Sequence, residues 1–180
     1  MNMSAIDLAI LGIVMERPHS AYEIQKDVIY HHFNKWTSIS VPSVYKKVLR
    51  LEEQGYLRAE TQQGEKNLLK SVYTITHAGE ARFRELMHLY ADQTIDFLFD
   101  FNAVVANLGK LDMKTADSLL ETLHDNIKRS AQTNLELANN YSQLPIYGKT
   151  IFRQQQLLYQ ALLEWIKAFK EELENEQDSC

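Results

Sequence analysis

Cysteine is nearly missing from this chain: Cys180 is the single one among 180 residues. No disulfide can form within the chain, and nothing argues for an oxidising compartment. Six glycines and three prolines are too few for a loop-rich or low-complexity protein. Long apolar runs are missing as well. The longest, counting Gly12, extends from Leu8 to Met15 behind Asp7, too short to span a bilayer and without the basic start of a signal peptide. The expectation is a cytoplasmic protein with no membrane partner. What is present is a globular balance of 45% hydrophobic and 24% charged residues, enough for one fairly large domain or two small ones. Acid prevails, 24 Asp+Glu against 19 Lys+Arg for a net charge of −5. Taken as an average, that charge should repel nucleic acid.

The average conceals two halves. Residues 1–90 hold 11 Lys+Arg and 10 Asp+Glu, whereas residues 91–180 hold 8 and 14. Within residues 26–50, Lys26, Lys35, Lys46, Lys47 and Arg50 face Asp27 alone. Such a segment on an acidic chain is either a focused anion-binding face or a solvated helix face.

Hydrophobic spacing divides the first half into short elements. Ser4 offers a cap for a helix whose Ile6, Leu8, Ala9, Leu11, Ile13 and Val14 are too dense for one face, so this helix should be largely buried. It should stop at Glu16-Arg17-Pro18, since proline disfavours a helical predecessor. Ser20 and Glu23 have capping-box spacing and open a second helix. An irregular stretch from Trp36 to Ser40 leads to a third, with Ser40 as cap, Pro42 in the first turn and Gly55 as the stop. Leu57, Ala59 and Thr61 then alternate with polar residues up to Gly64-Glu65-Lys66-Asn67, and Leu68 to Ile75 returns with β-branched content, which predicts a hairpin. Thr76 caps a fourth helix. Helix, helix, helix, hairpin, helix is the winged helix-turn-helix order.

The second half shows only helical patterns. Phe97, Leu98, Phe99, Phe101, Val104, Val105 and Leu108 predict a short apolar helix ending at Gly109. A long helix runs from about Lys114 to Ser142, with Tyr141 near its end, and the last one carries Ile151, Leu158, Leu162, Trp165, Phe169 and Leu173 along one face. That stripe requires a partner, either a second subunit or the chain's own first domain. The expected architecture is mainly α: a winged helix-turn-helix over 1–91 and an all-α dimerisation and effector domain over 92–180.

On the third helix, Ser43, Lys46, Lys47 and Arg50 share one face, and Val44, Val48 and Leu51 an adjacent one that can pack inward. The polar face is then free to enter a major groove, with Ser40 and Tyr45 near the helix start and Lys66 and Lys70 of the hairpin reaching the phosphates beside it. His19, His31, His32 and His77 assemble no zinc shell, because adjacent histidines on a helix diverge by about 100°. No metal or cofactor is expected. Neither a Gly-x-Ser-x-Gly elbow nor a phosphate-cradling glycine loop is present, so no catalytic residue is assigned and the chain is not expected to be an enzyme.

The run Ala9-Ile10-Leu11-Gly12-Ile13, then Pro18-His19-Ser20-Ala21-Tyr22-Glu23-Ile24, then Ser43-Val44-Tyr45 with Leu49 through Leu57, resembles the PadR family of transcriptional regulators. Lys70, Tyr73, Thr76, Ala78 and Gly79 are similar to its wing and the start of its fourth helix. Ala21 stands where the family usually has glycine, and Leu68-Leu69 and Ser71-Val72 replace a more basic and aromatic wing. The second half resembles the longer C-terminal type shared with virulence activators, around Phe97-Leu98-Phe99 and Leu163-Glu164-Trp165. The resemblance implies a homodimeric repressor of a palindromic double-stranded operator, released by a small aromatic effector. Phe97, Phe101, Leu158, Leu162, Trp165 and Phe169 would then form the dimer. Tyr22, Trp36, Tyr159 and Trp165 are either effector contacts or plain packing. A winged-helix module that binds protein instead of DNA is the alternative.

Overall fold

The structure is a computed structural model and describes residues 5–37, 39–63, 69–140 and 143–178. The chain divides into two compact units, residues 1–95 and 96–180. Ser4, Lys66, the hairpin tip 64–68, Tyr141, Ser142 and Cys180 lie outside the described residues.

The first unit contains α1 (Ala5–Glu16), β1 (His19–Ser20), α2 (Ala21–Tyr30), α3 (Phe33–Trp36), a 3₁₀ turn (Val41–Ser43), α4 (Val44–Glu53), β2 (Leu57–Gln63), β3 (Leu69–Ile75) and α5 (His77–Ala91). Helix α1 buries Ile6, Ala9, Ile10, Leu11, Ile13 and Val14, on more than one face as their density requires, and it ends at Glu16. Ile10, Leu11, Ile24, Val28, Val44, Val48 and Leu86 are the fully buried centre of this unit. At the start of α2 the capping box is complete. The Glu23 amide donates to Ser20 Oγ over 3.3 Å, and the Ser20 amide donates to Glu23 Oε2 over 2.7 Å. The Ser20 hydroxyl, donating to the same Oε2 over 2.6 Å, and then the Ser20 amide hold the Glu23 carboxyl below its ordinary range, helped by Lys70.

The sheet has the order β1-β3-β2, with β2 and β3 antiparallel from Leu57↔Ile75 to Gln63↔Leu69 and β1 added through His19↔Tyr73. The two-residue β1 has no periodicity to betray it. What fixes it is His19, 1% exposed, with Nδ1 2.6 Å from the Arg17 carbonyl and Nε2 3.0 Å from Asp27 Oδ2.

Two glycines set the join between α4, the hairpin and α5. Gly55 has φ +76, its amide donates to the Glu52 carbonyl and the Tyr56 amide to the Leu51 carbonyl, a Schellman ending for α4. A Cβ on Gly79 would sit 2.1 Å from the Tyr56 carbonyl oxygen, because Thr76 bonds back to the same backbone: its amide to Tyr56 O over 3.0 Å and its hydroxyl to Gly55 O over 2.7 Å. Thr76 Oγ1 also caps α5 by accepting from the Gly79 amide over 3.1 Å.

Two expectations for this unit are corrected. Trp36 is not in an irregular stretch but ends the one-turn helix α3, which His32 enters in the left-handed region at φ 57. Ser40 makes no side-chain cap. Its carbonyl instead accepts the Ser43 amide and hydroxyl, over 3.0 and 2.6 Å, so a 3₁₀ turn through Pro42 precedes an α-helix that starts only at Val44.

The second unit comprises α6 (Asn102–Val105), a 3₁₀ turn (Leu108–Lys110), α7 (Met113–Asn140) and α8 (Ile146–Asp178). The short helix expected to end at Gly109 is cut down to one turn, α6, which starts only at Asn102, and a separate 3₁₀ turn that has Gly109 inside it. The Phe99 and Phe101 rings stack 5.0 Å apart, a pairing of residues two apart that a helix cannot make. Leu108, Ala116 and Leu120 form a buried cluster covered by Phe169 and Leu173. On α8 the fully enclosed residues are Phe152 and Ile166, neither of them in the expected stripe, while Ile151, Leu158, Leu162, Trp165, Phe169 and Leu173 are half-buried.

Candidate nucleic-acid interface

Helix α4 is amphipathic across its width: Val44, Val48 and Leu51 point into the core, which turns Tyr45, Lys46 and Arg50 outward, Tyr45 with 60% exposure. No carboxylate pairs with Lys46 or Arg50 among the described residues. Lys47 differs. Its Nζ is 3.1 Å from Asp7 Oδ1 of α1, and both side chains are largely covered, 22% and 16% exposed. Ser43 is half-buried with its hydroxyl engaged at Ser40 O. Of the four residues expected on one reading face, the structure therefore leaves Lys46 and Arg50 free, adds Tyr45 beside them, and commits Lys47 and Ser43 to the protein itself.

On the wing, Lys70 Nζ is 3.7 Å from Glu23 Oε1, so the α2 capping box also anchors a cation of β3. Asp7, which engages Lys47, has no local signal in the sequence, because the two lie 40 positions apart on different helices. Asp7 also acts on α5: burial, then the Asp7 charge, pushes the Tyr90 phenol above its ordinary value.

Of the four aromatic effector candidates, Tyr22 and Trp36 belong to the first unit and Tyr159 and Trp165 to the second. Tyr22 is 64% exposed with the Lys26 ammonium 4.7 Å from its ring centre, and the half-buried Trp36 has its ring 6.1 Å from that of His32. Tyr159 is half-buried on α8, and Trp165 is stacked between Phe101 and Phe169 at 5.8 and 6.1 Å. None of the four lines the cavity of about 440 Å³ in the first unit, whose walls include Leu8 and Gly12 of α1, Phe33 of α3, and Phe83 and Met87 of α5. Among the described residues no cluster of His, Cys, Asp and Glu is arranged to hold a metal, and no helix is long and apolar enough to cross a membrane.

Residues 10–85, which span α1 to the middle of α5, match the model of the PadR-like family of transcriptional regulators. The winged unit is therefore a PadR-like domain. Its fold is that of Bacillus subtilis PadR in complex with operator DNA, at 17% identity and a TM-score of 0.76 over 92% of this chain and 97% of that one. PadR in complex with p-coumaric acid matches at 16% identity and 0.75, over 92% and 96%. The Vibrio cholerae virulence activator AphA matches at 20% identity and 0.68, over 94% and 98%. No curated protein matches the chain in sequence. The winged helix followed by a helical C-terminal region is thus the architecture of these PadR-type structures.

Proposed function

We propose that this protein is a cytoplasmic, homodimeric repressor of the PadR family that binds a palindromic operator through α4 and is released by a small aromatic effector. One observation carries the DNA reading: α4 turns Tyr45, Lys46 and Arg50 to solvent from a helix whose opposite face is locked in the core. Lys46 and Arg50 contact phosphates or guanine edges, and Tyr45 packs on the groove wall. Ser40 and Ser43 position the helix start. Lys70 of the wing reaches a phosphate only by leaving Glu23, and Lys66, outside the described residues, is a phosphate contact on its sequence position alone. The half-buried row Leu158, Leu162, Trp165 and Phe169, together with Phe97 and Phe101, supports a second copy as the partner of residues 92–180, as residues 1–91 serve DNA. The p-coumaric acid complex of Bacillus subtilis PadR supports an aromatic effector, with Tyr22, Trp36, Tyr159 and Trp165 its candidate contacts.

The test is gel retardation of the DNA upstream of its own gene by the wild type and by Lys46→Ala/Arg50→Ala. The variant should lose retention by about tenfold or more for each removed contact while eluting at the same size. Unchanged retention overturns the assignment of α4. The commitment of Lys47 and Lys70 to carboxylates favours one other reading, a winged-helix module for protein partners. Salt separates the two: DNA binding weakens steeply between about 50 and 200 mM salt, whereas a largely apolar protein interface does not.

A further inference from the structure

The second unit contains a slot that neither the family match nor the aromatic candidates address. It encloses about 400 Å³ between the end of α7 and the start of α8, lined by Ala138 on α7 and by Lys149, Phe152, Arg153, Gln156 and Leu157, with Gln160 at one end. Lys149, Arg153, Gln156 and Gln160 recur at helical spacing along one face of α8, so both cations stand at one end, about 6 Å apart along the axis, and the amides continue beyond them. Phe152 is buried and forms part of the wall, while Leu157 remains 54% exposed. Elsewhere on α8, Lys167 is paired with Glu171 and Lys170 with Glu121. Lys149 and Arg153 have no acidic partner among the described residues, and no carboxylate lines the slot.

Two unpaired cations at one end of an apolar wall, followed by neutral amides, describe the inverse of a particular ligand: a small carboxylate with a ring-sized apolar body. The carboxylate accepts charge-assisted bonds from Lys149 and Arg153, whose guanidinium offers a two-pronged fit. The body lies along Phe152 and Leu157, and removing their surface from water supplies the apolar part of the affinity. An uncharged analogue would leave two cations without a partner, and a bare carboxylate would leave the wall wet. We propose that the α7–α8 slot is a binding site for a monocarboxylate with an aromatic or similarly compact apolar body. The site is separate from the four aromatic contacts named above, and the inference rests on the effector reading only for the consequence that occupancy is sensed by DNA.

The experiment is isothermal titration calorimetry on the full chain without DNA, using three probes: cinnamate, cinnamamide and acetate. Cinnamate should bind at least about tenfold tighter than either of the others, since each lacks one half of the match. Lys149→Gln and Arg153→Gln should each weaken cinnamate by about tenfold, Leu157→Ser should weaken it less, and Lys167→Gln should leave it unchanged. All four positions are solvent-facing, so folding is retained. Equal cinnamate affinity for the wild type and Lys149→Gln/Arg153→Gln overturns the proposal, as does cinnamamide binding as tightly as cinnamate. It also falls if the double variant alters only self-association in sedimentation, which would make the slot an interface between copies. DNA retention is measured separately. A chain that bound cinnamate through Lys149 and Arg153 but retained no promoter fragment would sink the repressor reading and leave the site standing.

Discussion

The two units bury their apolar residues to different depths. In the first, every helix of two turns or more places at least one residue wholly out of solvent: Ile10 and Leu11 on α1, Ile24 and Val28 on α2, Val44 and Val48 on α4, Leu86 on α5. In the second, α8 runs for 33 residues with Phe152 and Ile166 as its deeply buried side chains, and much of its apolar face is only half covered. Several short elements can wrap a centre, whereas two long antiparallel helices share one seam and leave their flanks open. The first unit can therefore hold a rigid reading surface, and the second is the region where further burial has most to contribute.

The largest effects should come from breaking each core once. Leu86→Ala and Ile166→Ala each empty a position with 0% exposure, which costs about 2–5 kcal/mol in a close-packed site. The prediction separates the units. Leu86→Ala should remain near the top of that range, since it belongs to the main buried cluster of the winged unit, while around Ile166 two helices can close toward each other and recover part of the loss. Chemical denaturation followed by circular dichroism reads the difference; an Ile166→Ala cost equal to or above that of Leu86→Ala would mean that the helical unit is packed as tightly as the winged one.

The same contrast explains what could be read from the sequence. Caps and stops were legible because each is a local pattern with a local cause: Ser20 with Glu23, Pro18 after α1, Gly55 after α4, Thr76 before α5. The inward face of α4 followed from its 3.6-residue spacing. Three things did not follow. The strand β1 is made by pairing with β3 some fifty residues away. The segment 97–109 is rich in apolar residues, and richness without period misled, since stacking of Phe99 on Phe101 wins over helix there. Lys47 was placed on the reading face by angle alone, and only the arrival of Asp7 from α1 shows that its charge is already engaged.

Lys47 also supplies a prediction of intermediate size, which sharpens the distinction between free and committed charges. If Lys46 or Arg50 meets a phosphate, its replacement by Met should reduce the salt slope of DNA binding by about 0.9 per lost contact. Lys47→Met should weaken binding without changing that slope, because what it removes is the tie between α1 and α4. Asp7→Asn completes the comparison: it releases Lys47, so the slope stays constant or steepens. A slope that falls in Lys47→Met as much as in Lys46→Met would show that Lys47 abandons Asp7 on DNA.

The smallest expected effect concerns Glu23, where the winged unit joins its helix cap to its wing. The Glu23 carboxyl is held below its ordinary range chiefly by the bonds from Ser20, with Lys70 adding to them. A carboxyl with a depressed folded value stabilises the fold at pH above its unfolded value, near 4.3, and this contribution disappears as pH falls through the lower folded value. The group is partly exposed, so the effect is modest. Glu23→Gln should keep one arm of the capping box and lose the charge, reducing the melting temperature at pH 7 by a small amount that shrinks as the pH is lowered. If the two proteins differed as much at pH 3 as at pH 7, the carboxylate charge would not be what fastens β3 to α2, and Lys70 would be free for DNA after all.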